Sequence, residues 1–89
     1  MKALDKYVIF HESREEFLHT LQRKAGMDKI CWAKTPMSAR QYDSLQNAQE
    51  DAEFIAGVKH YDLTLCQLHE SKTQIALSEI AKVVPNDKP

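Results

Sequence analysis

Glu16-Phe17-Leu18-His19-Thr20-Leu21 decides the fold, because this stretch reads both as a strand and as a helix. As a strand it returns beside Lys6-Tyr7-Val8-Ile9-Phe10-His11, whose β-branched and aromatic residues mark an extended segment. Glu12-Ser13-Arg14 is then the turn of a hairpin. As a helix it opens at Ser13 with Glu16 as the capping-box partner, and Gly26 follows its last turn. Leu18 and Leu21 fit a helical stripe, although Phe17, Leu21 and Lys24 alternate poorly. Just upstream, Tyr7 and Ile9 fall on one face of the first strand and Val8 and Phe10 on the other. Apolar side chains on both faces suit an inner strand.

Downstream, Lys29-Ile30-Cys31-Trp32-Ala33 is a short strand candidate. Thr35-Pro36 pairs a capping residue with proline at the first helical position, which predicts a single helical turn through Ala39 that Tyr42 and Asp43 leave. The clearest element is a helix over 45–56, capped by Ser44 or Asp43. Leu45, Ala48, Ala52, Ile55 and Ala56 form its apolar stripe, with Gln46, Gln49, Glu50 and Glu53 on the wet side. Gly57 ends it in this reading, and the small alanines let it sit close to a sheet. His60 to Leu68 alternates, with Tyr61, Leu63, Leu65 and Gln67 opposite His60, Asp62, Thr64 and Cys66, which predicts a strand covered on one side.

The tail is again double. Leu77, Ile80, Ala81 and Val84 fit a helix with Ser71 and Gln74 as a capping box, whereas Thr73, Ile75 and Leu77 fit a strand. Pro85-Asn86-Asp87-Lys88-Pro89 reads as a frayed end. Phe10-His11-Glu12-Ser13-Arg14 echoes Leu68-His69-Glu70-Ser71-Lys72, which reads as two similar turns. At 89 residues the chain fits a single domain, 1–89, that buries roughly 60–65% of its unfolded surface. With 43% hydrophobic and 28% charged residues, a folded domain is expected rather than a disordered segment.

The charges nearly balance, with 12 basic and 13 acidic residues and a net charge of −1. That balance argues against a strongly electrostatic nucleic-acid binder and against an acidic DNA mimic. The start Met1-Lys2-Ala3-Leu4-Asp5-Lys6 has no apolar core of a signal peptide, and Tyr7–Phe10 is too short to span a membrane. A cytoplasmic protein without membrane attachment is the expectation. In a reducing cytosol Cys31 and Cys66 stay thiols and serve as small buried hydrophobes, although spacing alone leaves a Cys31–Cys66 disulfide open.

No motif identifies an enzyme. The histidines His11, His19, His60 and His69 and the two cysteines lack paired metal-ligand spacing. His11 and His19 are placed to face each other across the hairpin. Gly26 and Gly57 are the only glycines, so no glycine-rich phosphate loop exists. We therefore assign no catalytic, cofactor or metal residues. Basic residues do gather in the first half, beginning at Arg14. Arg23, Lys24, Lys29, Lys34 and Arg40 are the candidate contacts for a nucleic acid or a partner, with Trp32 and Tyr42 among them for stacking. Glu50, Asp51 and Glu53 make the helix an acidic counterpart, which suits self-association.

Trp32-Ala33-Lys34-Thr35, then Ala39, then Tyr42-Asp43-Ser44, then Ala48, Ala52 and Ile55, and then the strand Tyr61 to Leu68 form a recognisable order. Over residues 6–68 it resembles small ββαβ accessory proteins of phages, prophages and other mobile elements, and several small anti-CRISPR proteins are similar in layout. In these a hairpin precedes a tryptophan and threonine, a buried alanine, an aromatic-x-Ser helix start and an alanine-lined helix. The chain departs from the pattern in having no glycine or asparagine at the hairpin turn and in its extra tail. The resemblance implies a hairpin over 6–22 and carries over no functional residue.

Together these readings predict an α+β fold. An antiparallel sheet of three to five strands carries the helix 45–56 on one face, with Val8, Phe10, Trp32, Ala48, Ala52, Ile55, Leu63 and Leu65 as the core. The alternative is a βαβαβα-like chain with helices at about 14–25 and 72–83. The functional expectation is a non-enzymatic protein-interaction module, a mobile-element accessory or inhibitor in its sharpest form, acting on a protein partner or a second copy. A nucleic-acid-binding module using the basic residues between 14 and 40 is the alternative.

Overall fold

The structure, a computed structural model, describes residues 2–24, 27–70 and 75–85. In chain order the elements are β1 (Lys2–His11), β2 (Glu16–Lys24), β3 (Met27–Ala33), α1 (Leu45–Lys59), β4 (Leu63–Glu70) and β5 (Ile75–Val83). The strands form one sheet in the order β3-β2-β1-β4-β5, and every neighbouring pair is antiparallel. The helix crosses from the β3 side to β4 and packs on β1, β4 and β5.

The decisive stretch is a strand. Phe10 pairs with Phe17 and His11 with Glu16, and the two phenyl rings lie 5.0 Å apart. Phe17 and Leu18, adjacent in sequence, are both buried, in different core clusters on opposite faces of the sheet. A helix could not send consecutive side chains to opposite covered faces; a pleated strand does so at every step. The turn needs no glycine or asparagine because Glu15 takes the left-handed conformation at φ 54° and donates its N–H to the His11 carbonyl at 2.9 Å. The tail resolves likewise, as β5, so the alternative with helices at 14–25 and 72–83 does not hold. Ser71, Gln74, Gly26 and the end of the repeated His-Glu-Ser turn lie outside the described residues.

β1 and β2 pair beside their turn and are propped apart further along. There Tyr7 and Tyr42 exchange both backbone bonds, at 2.9 and 2.8 Å, and the Arg40 N–H reaches the Leu18 carbonyl at 2.8 Å. The segment 40–42 thus fills the gap between two strands that belong to one sheet. The helical turn expected at Thr35–Ala39 is an ordinary turn. The Ser38 N–H reaches the Thr35 carbonyl and hydroxyl, as a cap would, but the bonds stop at Ala39.

Ser44 caps α1 by accepting the Asn47 N–H at 3.3 Å, and Ala48, Ala52, Ile55 and Ala56 form its buried stripe. The helix runs through Gly57 to Lys59. It ends at His60, left-handed at φ 57°, whose N–H returns to the Ala56 carbonyl. One glycine inside a helix costs only about 1 kcal/mol, which docking of the alanine stripe outweighs.

β4 is buried on both faces, not on one as its alternation suggested: Leu63, Thr64, Leu65, Cys66 and Leu68 are all buried. Under α1, Leu63 and Leu65 join Ile9, Leu18, Tyr42 and Val83. On the opposite face, Cys66 and Leu68 join Val8 and Phe17, closed over by Phe10, Ala39 and Ile75. Of the expected core, Phe10 and Trp32 are only half-buried, at the margins of these two clusters. Both cysteines are free. β3 and β4 stand at least three strand spacings apart, about 14 Å or more, well beyond disulfide reach.

Candidate functional site

β5 is an edge strand, and its sequence leaves large apolar residues exposed on it beside Ser78, Glu79 and Lys82. Its N-terminal end packs through Ile75 on the face away from α1, and Val83 inserts under the helix. Between these anchors the register shifts: Leu65 pairs with Ala81 and Cys66 with Glu79, so Ile80 is an extra residue, a β-bulge. The bulge resets the alternation. Leu77, Glu79 and Lys82 lie over Leu68, Cys66 and Thr64 on the face away from α1, and Ala76, Ser78, Ala81 and Val83 lie on the helix face.

The outcome is an exposed row. Leu77 is 38%, Ile80 39% and Val84 60% exposed, three of the five large apolar side chains exposed among the described residues. Lys82, the kind of charge that keeps a sheet edge from pairing, is half exposed and engages the chain's own carboxylates. It salt-bridges Glu12 and lies 3.3 Å from Glu79, and Glu12 also accepts the Thr64 hydroxyl. Glu12 and Glu79 hold the Lys82 ammonium above its usual pKa, Glu12 most strongly. Beside the strand a groove of about 610 Å³ runs between α1 and β5, walled by Gln49 and Glu53 and floored by Ala81, Val83 and Leu65. Gly57 leaves its helix wall without a side chain.

Of the five basic residues singled out in the sequence, the four whose side chains are described do not gather on one face. Arg23 turns to α1, with its guanidinium 2.9 Å from Asp51 and 3.9 Å above the Phe54 ring. Lys34 reaches Glu16 at 2.9 Å, beyond the other end of the β2–β3 ribbon. Phe17, beside Lys34's end, is six residues from Arg23 along β2, about 20 Å at strand rise. Arg40 lies over the Tyr42 ring at 5.1 Å. Lys29 pairs with Gln22 and takes the strand face opposite to that of Leu21 and Ile30; the side chain of Lys24 is outside the described set. Arg23 and Lys34 thus each have one of the chain's own carboxylates beside them.

A second polar feature escaped the sequence reading. His11 is buried at the end of β1 with its ring against Trp32 (4.9 Å) and Tyr61 (4.2 Å), and its Nε2 has no hydrogen-bond partner among the described residues. Burial first, and then Arg14, hold its pKa below 6.5, while Glu16 and Asp62 pull the other way. It does not face His19, because the register sets His11 against Glu16 and leaves His19 exposed on Thr20. The pairing of His11 with the helix face through Tyr7 and Ile9 is visible in the sequence once β1 is accepted; the covering rings come from β3 and the α1–β4 link and are not.

Among the described residues, no group of three or more His, Cys, Asp or Glu side chains is placed to hold a metal ion, and no helix is long and apolar enough to cross a membrane. The chain matches no protein-family model, no curated protein and no solved structure.

Proposed function

We propose that this chain is a small non-enzymatic protein-interaction module that binds through the outer edge of β5. The observation that carries the reading is the edge itself: exposed Leu77 and Ile80 on β5 and Val84 just past its end, with the strand's half-exposed lysine engaged by the chain's own Glu12 and Glu79. An incoming strand would gain main-chain hydrogen bonds from such an edge and pockets for its side chains from the adjoining groove. The resemblance of residues 6–68 to small accessory proteins of phages and other mobile elements supports the sharper form, an accessory or inhibitor protein that acts by occupying a partner. The nucleic-acid alternative is the weaker reading, because Arg23 and Lys34 are already paired with Asp51 and Glu16.

The test is affinity purification of the tagged chain from a bacterial lysate, with and without nuclease, beside an Ile80→Lys variant. The expected result is a protein captured by the native chain, retained after nuclease and lost with Ile80→Lys. Capture that vanishes with nuclease, or that responds to charge reversal at Arg23, Lys29 and Arg40 and not to Ile80→Lys, overturns it.

A further inference from the structure

The β5 edge is complementary to itself. Laid antiparallel to a second β5 about a two-fold axis between Ile80 and Ala81, it sets Glu79 opposite Lys82, Leu77 opposite Val84 and Ser78 opposite Val83. The register also respects the faces of the sheet. Glu79 and Lys82 both lie on the face away from α1, Ser78 and Val83 both on the helix face, and a two-fold axis perpendicular to a sheet keeps each face on its own side. Val84 follows the last residue of β5 and lines the groove beside α1. Slipping the strands by two residues sets Leu77 against Lys82 in one direction and Glu79 against Val84 in the other. Other slips oppose Glu79 to Glu79 or Lys82 to Lys82, and like charges directly opposite destabilise a pair.

We propose that a second copy of this chain pairs with it through β5 in that register, joining two five-stranded sheets into one continuous antiparallel sheet. The proposal rests on the reading of β5 as the binding edge and names its occupant. Each Lys82 keeps Glu12 of its own chain and exchanges its own Glu79 for that of the other copy, since an ammonium offers three donors. The exposed Leu77 of each copy is brought to the Val84 end of the other. The bulges at Ile80 meet at the axis, where the extra residue of one chain lies opposite Ala81 of the other. A net charge of −1 on each chain raises no long-range repulsion against the approach. The two grooves between α1 and β5 then join into one trough along the seam.

The experiment is sedimentation of the full chain across concentration, with Glu79→Lys and Lys82→Glu as separate proteins and as a mixture, each checked for a native circular-dichroism spectrum. The native chain is expected to dimerise. Each variant, carrying like charges across the axis, should associate about tenfold or more weakly. The mixture should recover a dimer, because the two positive positions of one variant then face the two negative positions of the other. A folded native chain that stays monomeric at the highest concentration overturns the second copy as occupant. So does a native dimer indifferent to both substitutions. If the native chain is monomeric and still captures a protein that Ile80→Lys loses, the binding-edge reading stands without the dimer; if that capture also ignores β5, both fail.

Discussion

The sheet has two edges, β3 and β5, and they are finished differently. β3 exposes Asp28 and Lys29 and half-buries Ile30, Cys31, Trp32 and Ala33, with the Trp32 ring set against His11 and Tyr61. None of the exposed large apolar side chains among the described residues lies on it. β5 exposes charge too, at Glu79 and Lys82, but it adds the partly exposed Leu77 and Ile80, and its lysine is engaged by Glu12 and Glu79. Soluble proteins blunt sheet edges with charge, bulges or cover. One edge here follows that rule with charge and aromatic cover. The other carries a bulge and a lysine, yet keeps an apolar row. The difference is what favours β5, over the basic stretch near β3, as the proposed binding surface.

The largest effect that sharpens the contrast lies in how firmly each side is fixed. Leu18→Ala empties a fully buried position on β2, next to β3, and should cost about 2–5 kcal/mol, measured by urea unfolding. Val83→Ala, which anchors β5 under α1, should cost only about 1–2 kcal/mol for its two lost methyl groups. Equal losses would mean that the two margins are equally built into the core.

Next comes the tie that holds the β3 side to the helix. The Tyr42 hydroxyl donates to Asp51 Oδ2 at 2.5 Å, and Asp51 also takes the Arg23 guanidinium at 2.9 Å. Burial, and then Asp51, raise the Tyr42 pKa. Tyr42→Phe should destabilise by about 1–2 kcal/mol and leave the β5-dependent association unchanged. A loss of association with full stability would break the separation of the two edges.

Acid should weaken the β3 side first. His11 is neutral in the folded chain with its pKa held below 6.5, so the unfolded chain takes up a proton earlier as pH falls. Stability is therefore full above about pH 6.5 and declines as pH drops toward the folded value. Glu12, held down chiefly by Lys82, and Glu16, held down chiefly by Lys34 and then Arg14, add losses of the same sign only below about 4.5. Melting between pH 7.5 and 5.5, followed by the fluorescence of the single tryptophan beside His11, should show the decline, and His11→Phe should flatten it.

The smallest effect is chemical. Cys31 is half-buried on β3. Cys66 is buried on β4, where burial first and then Glu79 push its thiol up to about 11. Under native conditions at pH 8, a maleimide should modify Cys31 well before Cys66, as mass spectrometry of the digested protein would show. Faster labelling of Cys66 would mean that β5 opens away from β4.

How much of this was legible in the sequence follows from which interactions are local. The helix stripe, with Ala48, Ala52 and Ile55, repeats every three to four residues, so its buried face is readable without knowing what covers it. The strand at Tyr7–Phe10 is legible from its composition. The stop at Gly57 misled, because His60 could end the helix by turning left-handed and nothing in its side chain announces that. β4 looked one-sided since Thr64 and Cys66 are modestly polar; their cover comes from Val8, Phe17 and Ile75, remote in sequence. The basic residues looked like a cluster because they are close along the chain, but β2 and β3 spread them along a ribbon and the acids Asp51 and Glu16 come from elsewhere. The β5 edge was hidden for a related reason. Its row depends on the bulge at Ile80, and Leu77, Ile80, Ala81 and Val84 are spaced as a helix would space them.

Amide hydrogen exchange of the native chain at low and at high protein concentration tests the unequal edges most directly. Protection of the β5 amides from Leu77 to Val83 should rise with concentration while the amides of β3 stay as they were. A rise confined to β3, or equal protection of both edges at every concentration, would contradict the assignment of β5 as the edge that binds.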